Sequence, residues 1–95
     1  MPWPFRRHPR RFLQVARVSG QGEGAVALVQ LGAAIRALRK VAGFSQEALA
    51  DAAGIDRSHM GKIERGERNV TLLNVVKIAS ALQLSVADLI ARSGL

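Results

Sequence analysis

Two short segments of this chain share one pattern of punctuation. Ser45 and Asp56 each precede a brief run with helical apolar spacing, and Gly54 and Gly66 close the two runs. A Ser or Asp side chain can accept from the free N–H groups at a helix start. A glycine accepts the left-handed backbone that commonly ends one. The pattern predicts two helices, Gln46 to Ala53 and Arg57 to Arg65, joined by a tight turn at Gly54. Such a pair is rigid only if its helices cross closely and the second is anchored from behind. Ala50 supplies the small side chain at the crossing, and Ile55, Met60 and Ile63 can supply the anchors.

The flanking sequence continues the same period. Leu28, Leu31, Ile35, Leu38 and Ala42 step by three and four residues, which predicts a helix from Val26 up to Gly43. Thr71 caps an expected fourth helix, Leu72 to Leu82, with Leu72, Val75, Ile78, Ala79 and Leu82 on its inner face. A fifth, Val86 to about Arg92, starts at Ser85. There Asp88 stands in for the usual Glu of a capping box, and Leu84 and Leu89 take the staple positions. No segment reads as a strand, so the expected fold is all-α.

The net charge is +7, which suits a polyanionic partner. More than half of that excess falls in residues 1–25, where Arg6, Arg7, Arg10, Arg11 and Arg17 are opposed only by Glu23. Prolines and Gly20, Gly22 and Gly24 mark this stretch as a flexible basic arm, leaving residues 26–95 as the folded domain. Four readings of the arm stand open: phosphate contacts with duplex DNA, insertion into a minor groove, a solubilising tail, and upstream sequence of little consequence. Pro2, Pro4 and Pro9 oppose the amphipathic helix of a transit peptide, and no apolar run approaches membrane-spanning length. No membrane role is expected. There is no cysteine, so disulfides and thiolate metal sites are excluded, and a reducing cytoplasm fits. His8 and His59 lack partners at ligand spacing, so neither a metal nor a cofactor is expected.

The helix from Arg57 to Arg65 carries the chemistry. With Met60 and Ile63 turned inward, Ser58, Gly61, Lys62 and Arg65 fall on the opposite side, and Arg57 lies at its exposed N-terminal edge. That side has no acid and offers hydrogen-bond donors. It suits a DNA major groove, which admits one α-helix and displays acceptors on guanine. His59 points sideways. Taken singly, Lys62 and Arg65 could be ordinary solvated charges; the shared face gives them weight.

The stretch SQEALADAAGIDRSHMGKIERGERN resembles the Cro- and phage-repressor-like, or xenobiotic-response-element, helix-turn-helix family. LGAAIRALRKVAGF before it and VTLLNVVKIASALQLSVADLI after it resemble the first and last helices of that family, so the likeness spans residues 31–90. It implies a compact five-helix, lambda-repressor-like bundle with the N-terminal arm outside it. By position it implies that Arg57, Ser58 and Lys62 face bases and that Arg65, Arg68 and Asn69 lie near the DNA backbone. Gln46 would contact a phosphate and buttress the reader helix, and Arg39 would pair with Glu64. An exposed pair of that kind contributes little. Two residues depart from the pattern. Gln83 stands where the family ends its fourth helix with glycine, at a cost of roughly 1 kcal/mol. Gly61 sits inside the reader helix at a similar cost of about 1 kcal/mol.

The resemblance implies a sequence-specific transcriptional regulator, a repressor or autoregulator acting on double-stranded DNA as a homodimer, in a prokaryotic or phage cytoplasm at the nucleoid. The fifth helix with Leu89, Ile90 and Leu95 is the expected dimer contact, with Leu89 alternatively in the core and Ile90 therefore the better probe. The chain stops just after the fifth helix, so no ligand-binding domain is expected. Phage-type repressors, restriction–modification controllers and antitoxins share this build, with a toxin protein or RNA polymerase as further partners. The alternative is an adaptor that uses the same bundle to bind protein. An enzyme is not expected: no nucleophile–base pair, phosphate loop or paired carboxylates stand out.

Overall fold

The computed structural model describes residues 23–95, which form five helices: α1 (Glu23–Val41), α2 (Gln46–Ala53), α3 (Arg57–Glu64), α4 (Leu72–Ala81) and α5 (Val86–Arg92). No strand occurs among them. The arginines of the arm, Arg6, Arg7, Arg10 and Arg11, lie outside the described residues.

The expected caps are all in place. Ser45, Asp56, Thr71 and Ser85 each accept from the backbone N–H three residues on. The box at α5 is half made: Ser85 Oγ accepts from the Asp88 N–H at 3.0 Å, but no return bond from the Asp88 carboxylate is formed among the described residues. An Asp is one methylene shorter than the Glu this device normally uses. Gln83 does adopt the left-handed conformation, at φ 60°, and the Leu84 N–H reaches the Ala79 carbonyl at 2.8 Å. That bond and the half-buried Leu82 and Leu84 on either side hold a backbone shape that glutamine would not choose alone.

α1 starts three residues earlier than expected, so Gly24 and Ala25 belong to the helix and not to the arm. Apolar periodicity set the expected start, and it is silent about Gly24 and Ala25, neither of which is fully buried. At their C-terminal ends α1, α3 and α4 each stop one residue short of expectation, as fraying last turns commonly do.

The core combines Leu31 and Ile35 of α1, Leu49, Ala50 and Ala53 of α2, Ile55, Met60 and Ile63 around α3, Val75, Ile78 and Ala79 of α4, and Leu89 of α5. Of the expected inner residues, Leu38 and Leu82 are partly buried against it, and Leu28, half-buried, Ala42 and Leu72 are not in it. Ala42 lies past the end of α1 and is exposed. Leu72 is 72% exposed. A helical wheel gives the direction of Leu72 but not whether a neighbour lies beside the first turn of α4, and among the described residues none buries it.

α1 lies against the C-terminal end of α3 through two glycines. A Cβ at Gly32 would fall on the Ile63 carbonyl oxygen and within 2.5 Å of that of Glu64. Gly66, at φ +71°, would place a Cβ 2.8 Å from the Val29 backbone. Side chains at either point would push α1 off α3.

Candidate nucleic-acid interface

The turn between α2 and α3 is built as its sequence implies. Gly54 is left-handed, at φ 67° and ψ 36°, and the Ile55 N–H closes on the Ala50 carbonyl at 2.9 Å. Ala50 is buried at the crossing, and Ile55, Met60 and Ile63 sink into the core behind α3. α3 is thereby held rigidly against α2.

Its outward side keeps the expected character. Arg57 and Ser58 are exposed and Lys62 is half-buried. The only acid on α3, Glu64, is turned inward. Arg65, Arg68 and Asn69 follow in the exposed connection to α4.

Gly61 corrects the expected face. It is buried, and a Cβ there would meet Gln46 Oε1 at 3.3 Å and the Arg65 guanidinium at 3.2 Å. It belongs to the crossing of α2 and α3, where it leaves room for the Gln46 side chain. This explains a glycine that otherwise weakens the helix.

Gln46 donates from Nε2 to Glu64 Oε1 at 3.1 Å, so it does buttress α3. Glu64 also takes Arg39, from Nε to Oε2 at 2.7 Å and from Nη2 to Oε1 at 3.1 Å. Arg39 Nη1 further donates to the Phe44 carbonyl at 3.1 Å. The pair between α1 and α3 is present, but it is not the exposed pair of small consequence that sequence allowed. Only 11% of the Arg39 side chain and 3% of that of Glu64 remain accessible.

Three further interactions were not visible in the sequence. Arg57 Nη1 lies 3.4 Å from Glu47 Oε2 at the start of α2, with both side chains exposed. Such a pair is weak and readily exchanged for another anion. Arg65 pairs with Glu67, Nε to Oε2 at 2.8 Å. That hydrogen bond and the attraction behind it hold the Glu67 carboxyl below its ordinary range and raise the Arg65 guanidinium above its own. Both groups are exposed, so the pair orders Arg65 more than it stabilises the fold. His59 is half-buried, with Nε2 3.4 Å from Asn74 Nδ2 on α4, which takes it away from a base-reading position. No cluster of His, Asp and Glu suited to a metal ion occurs among the described residues.

A rigid α2–turn–α3 unit on a five-helix bundle, with a donor-rich outer face on its second helix, defines a DNA-binding helix-turn-helix domain. The chain belongs to the helix-turn-helix family, whose profile matches residues 35–89. It is similar to the control protein C.SmaI of Serratia marcescens, with 44% identity over 61 residues, covering 64% of this chain and 73% of that protein. It is also similar to the HTH-type transcriptional regulator YazB of Bacillus subtilis, with 41% identity covering 61% of this chain and 84% of that protein. Among solved structures, the restriction-modification controller protein C.AhdI of Aeromonas hydrophila superposes with a TM-score of 0.64 at 48% identity. That match covers 65% of this chain and 94% of C.AhdI. The chain is a DNA-binding transcriptional regulator, and its family and relatives are regulators rather than enzymes.

Proposed function

We propose that this chain controls transcription of a restriction–modification operon by binding a twofold-symmetric duplex site as a homodimer. The observation that carries the reading is the exposed, acid-free face of α3, in a chain that matches nearly the whole length of C.AhdI. Arg57, Ser58 and Lys62 read base edges in the major groove, where a guanidinium or ammonium meets acceptors on guanine. Gln46, Arg65, Arg68 and Asn69 fix the register by contacting phosphates. The setting is a prokaryotic cytoplasm. A toxin protein or RNA polymerase would be the added partner if the regulator acts as an antitoxin or an activator.

One reader helix covers only a few base pairs, so two copies across a twofold axis are needed for a specific site. The expected C-terminal contact is revised by burial. Leu89 is fully buried, and Ile90 is half-buried against the core. Leu72, Leu73 and Val76 of α4 are instead exposed, at 72%, 62% and 43%. A cluster of exposed large apolar side chains of this kind marks an association surface. We assign it to the second copy, and the exposed Leu95 remains a secondary candidate.

Selection from random duplexes tests the function. The bound pool should converge on an inverted repeat with half-sites about 34–36 Å apart. Affinity should fall steeply with salt. A pool that stays random, with affinity insensitive to salt, would overturn the reading in favour of a protein-binding adaptor.

A further inference from the structure

Between α1, α2 and the end of α3 lies a cleft of about 240 Å³, lined by Arg36, Arg39, Gln46, Glu64 and Arg65. A water occupies about 30 Å³ of liquid, so the space admits a tetrahedral oxyanion with some of its waters. Its charges are unevenly matched. Arg39 is neutralised by Glu64 and Arg65 by Glu67. Arg36 is exposed and forms no ion pair among the described residues. With Glu67 counted beside the lining, one positive charge is left uncompensated among the described residues.

From this we infer that the cleft seats one phosphodiester of the bound duplex, and that Arg36 of α1 is its principal contact. The inference rests on the DNA-binding reading above. A phosphodiester carries a single negative charge, which the one unmatched guanidinium balances. Position supports the same source: Gln46 opens α2 and Arg65 lies at the end of the reader helix, so the cleft borders the edge of α3 where a groove-lining strand would pass. The lining is also fixed in advance. Glu64 holds Arg39 and Gln46 together, so neither side chain must be ordered when the phosphate arrives. Arg36 thereby joins the first helix to the interface, a role that its place in the sequence does not suggest. Contact with a phosphate carries no base information, so its removal should weaken all sequences alike.

The test uses the full chain and its selected operator. Arg36→Ala should lower affinity about tenfold or more at low salt, as expected for one charge-assisted hydrogen bond. It should reduce the slope of log affinity against log salt by about 0.9 and leave the base preference unchanged. Its melting midpoint should match wild type, because no ion pair is broken; Arg36→Lys should recover most of the affinity, and Arg92→Ala on α5 should change nothing. Replacing phosphates one at a time by neutral methylphosphonates should reveal a single position that weakens wild type but not Arg36→Ala. If wild type binds with a steep salt slope and Arg36→Ala shares it, this inference fails and the DNA-binding reading survives. If wild type shows no salt slope, that reading itself fails. Calorimetric saturation by inorganic phosphate, abolished in Arg36→Ala while the DNA slope is kept, would reassign the cleft to a free anion and overturn the proposal.

Discussion

Arg39 and Glu64 form a two-bond ion pair, 2.7 and 3.1 Å, that is almost wholly withdrawn from water and ties α1 to α3. Removing one partner leaves the other buried without its counter-charge, held only by the Phe44 carbonyl or by Gln46. Glu64→Ala should therefore cost about 3–5 kcal/mol, and Arg39→Ala about as much. In a small domain that is a large share of the total stability. The double alanine variant should cost clearly less than the two singles together, because no orphan charge remains. Urea unfolding of all four proteins measures this; strict additivity would show that the pair is not energetically coupled.

The two kinds of glycine should respond differently to alanine. At Gly54 nothing lies within 4 Å of a Cβ, so Gly54→Ala meets only the left-handed backbone penalty, about 1–2 kcal/mol. At Gly32 the added carbon meets the α3 backbone itself. Gly32→Ala should cost about 3 kcal/mol or more, since two helix backbones must move apart. Denaturant midpoints should rank Gly32→Ala well below Gly54→Ala, and the reverse order would contradict the close approach of α1 to α3.

Base reading by α3 predicts a loss of discrimination without a loss of fold. Arg57→Ala should lose about 1–3 kcal/mol at one base position, most simply a guanine, with helical content by circular dichroism unchanged. Competition binding with single-base variants of the operator identifies the position. Wild-type affinity and preference in both Arg57→Ala and Lys62→Ala would remove these residues from the reading set.

Self-association through α4 predicts that Leu73→Glu shifts the protein toward monomer, read by light scattering across a concentration series. The same substitution should make operator binding depend more steeply on protein concentration. Ile90→Glu is a poorer probe, because Ile90 packs on the core and its replacement should lower the melting midpoint as well. A Leu73→Glu protein as dimeric as wild type would place the twofold contact elsewhere.

Deleting residues 1–22 leaves all of α1 in place. Nothing in the spacing of Arg6, Arg7, Arg10 and Arg11 positions them relative to the bundle, so the salt slope and operator preference should be unchanged. If these arginines do bind phosphates, the deletion should instead flatten the slope by about 0.9 for each phosphate they neutralise. A weakened A·T preference beside the half-site would indicate minor-groove entry.

The helices, caps and turn of this protein follow from local sequence, and so does the family. Capping and left-handed turns involve residues a few positions apart, so Ser45, Gly54, Asp56, Thr71 and Ser85 carry them wherever the chain lies in space. The direction of Met60 and Ile63 is likewise a property of one helix, and it places Arg57, Ser58 and Lys62 on the open side without further information. What lies across from each residue is not local. Gly61 has an outward direction on the wheel but sits beneath Gln46, and Leu72 has an inward one but is left largely exposed among the described residues. Arg39 and Glu64 are 25 residues apart, and only the packing of α1 on α3 withdraws their pair from water and makes it strong. Gly32 and Arg36 give the sharpest contrast. Each is an ordinary small or polar position within one long helix, and only the crossing of three helices decides that one admits the α3 backbone while the other lines a basic cleft with no ion-pair partner among the described residues.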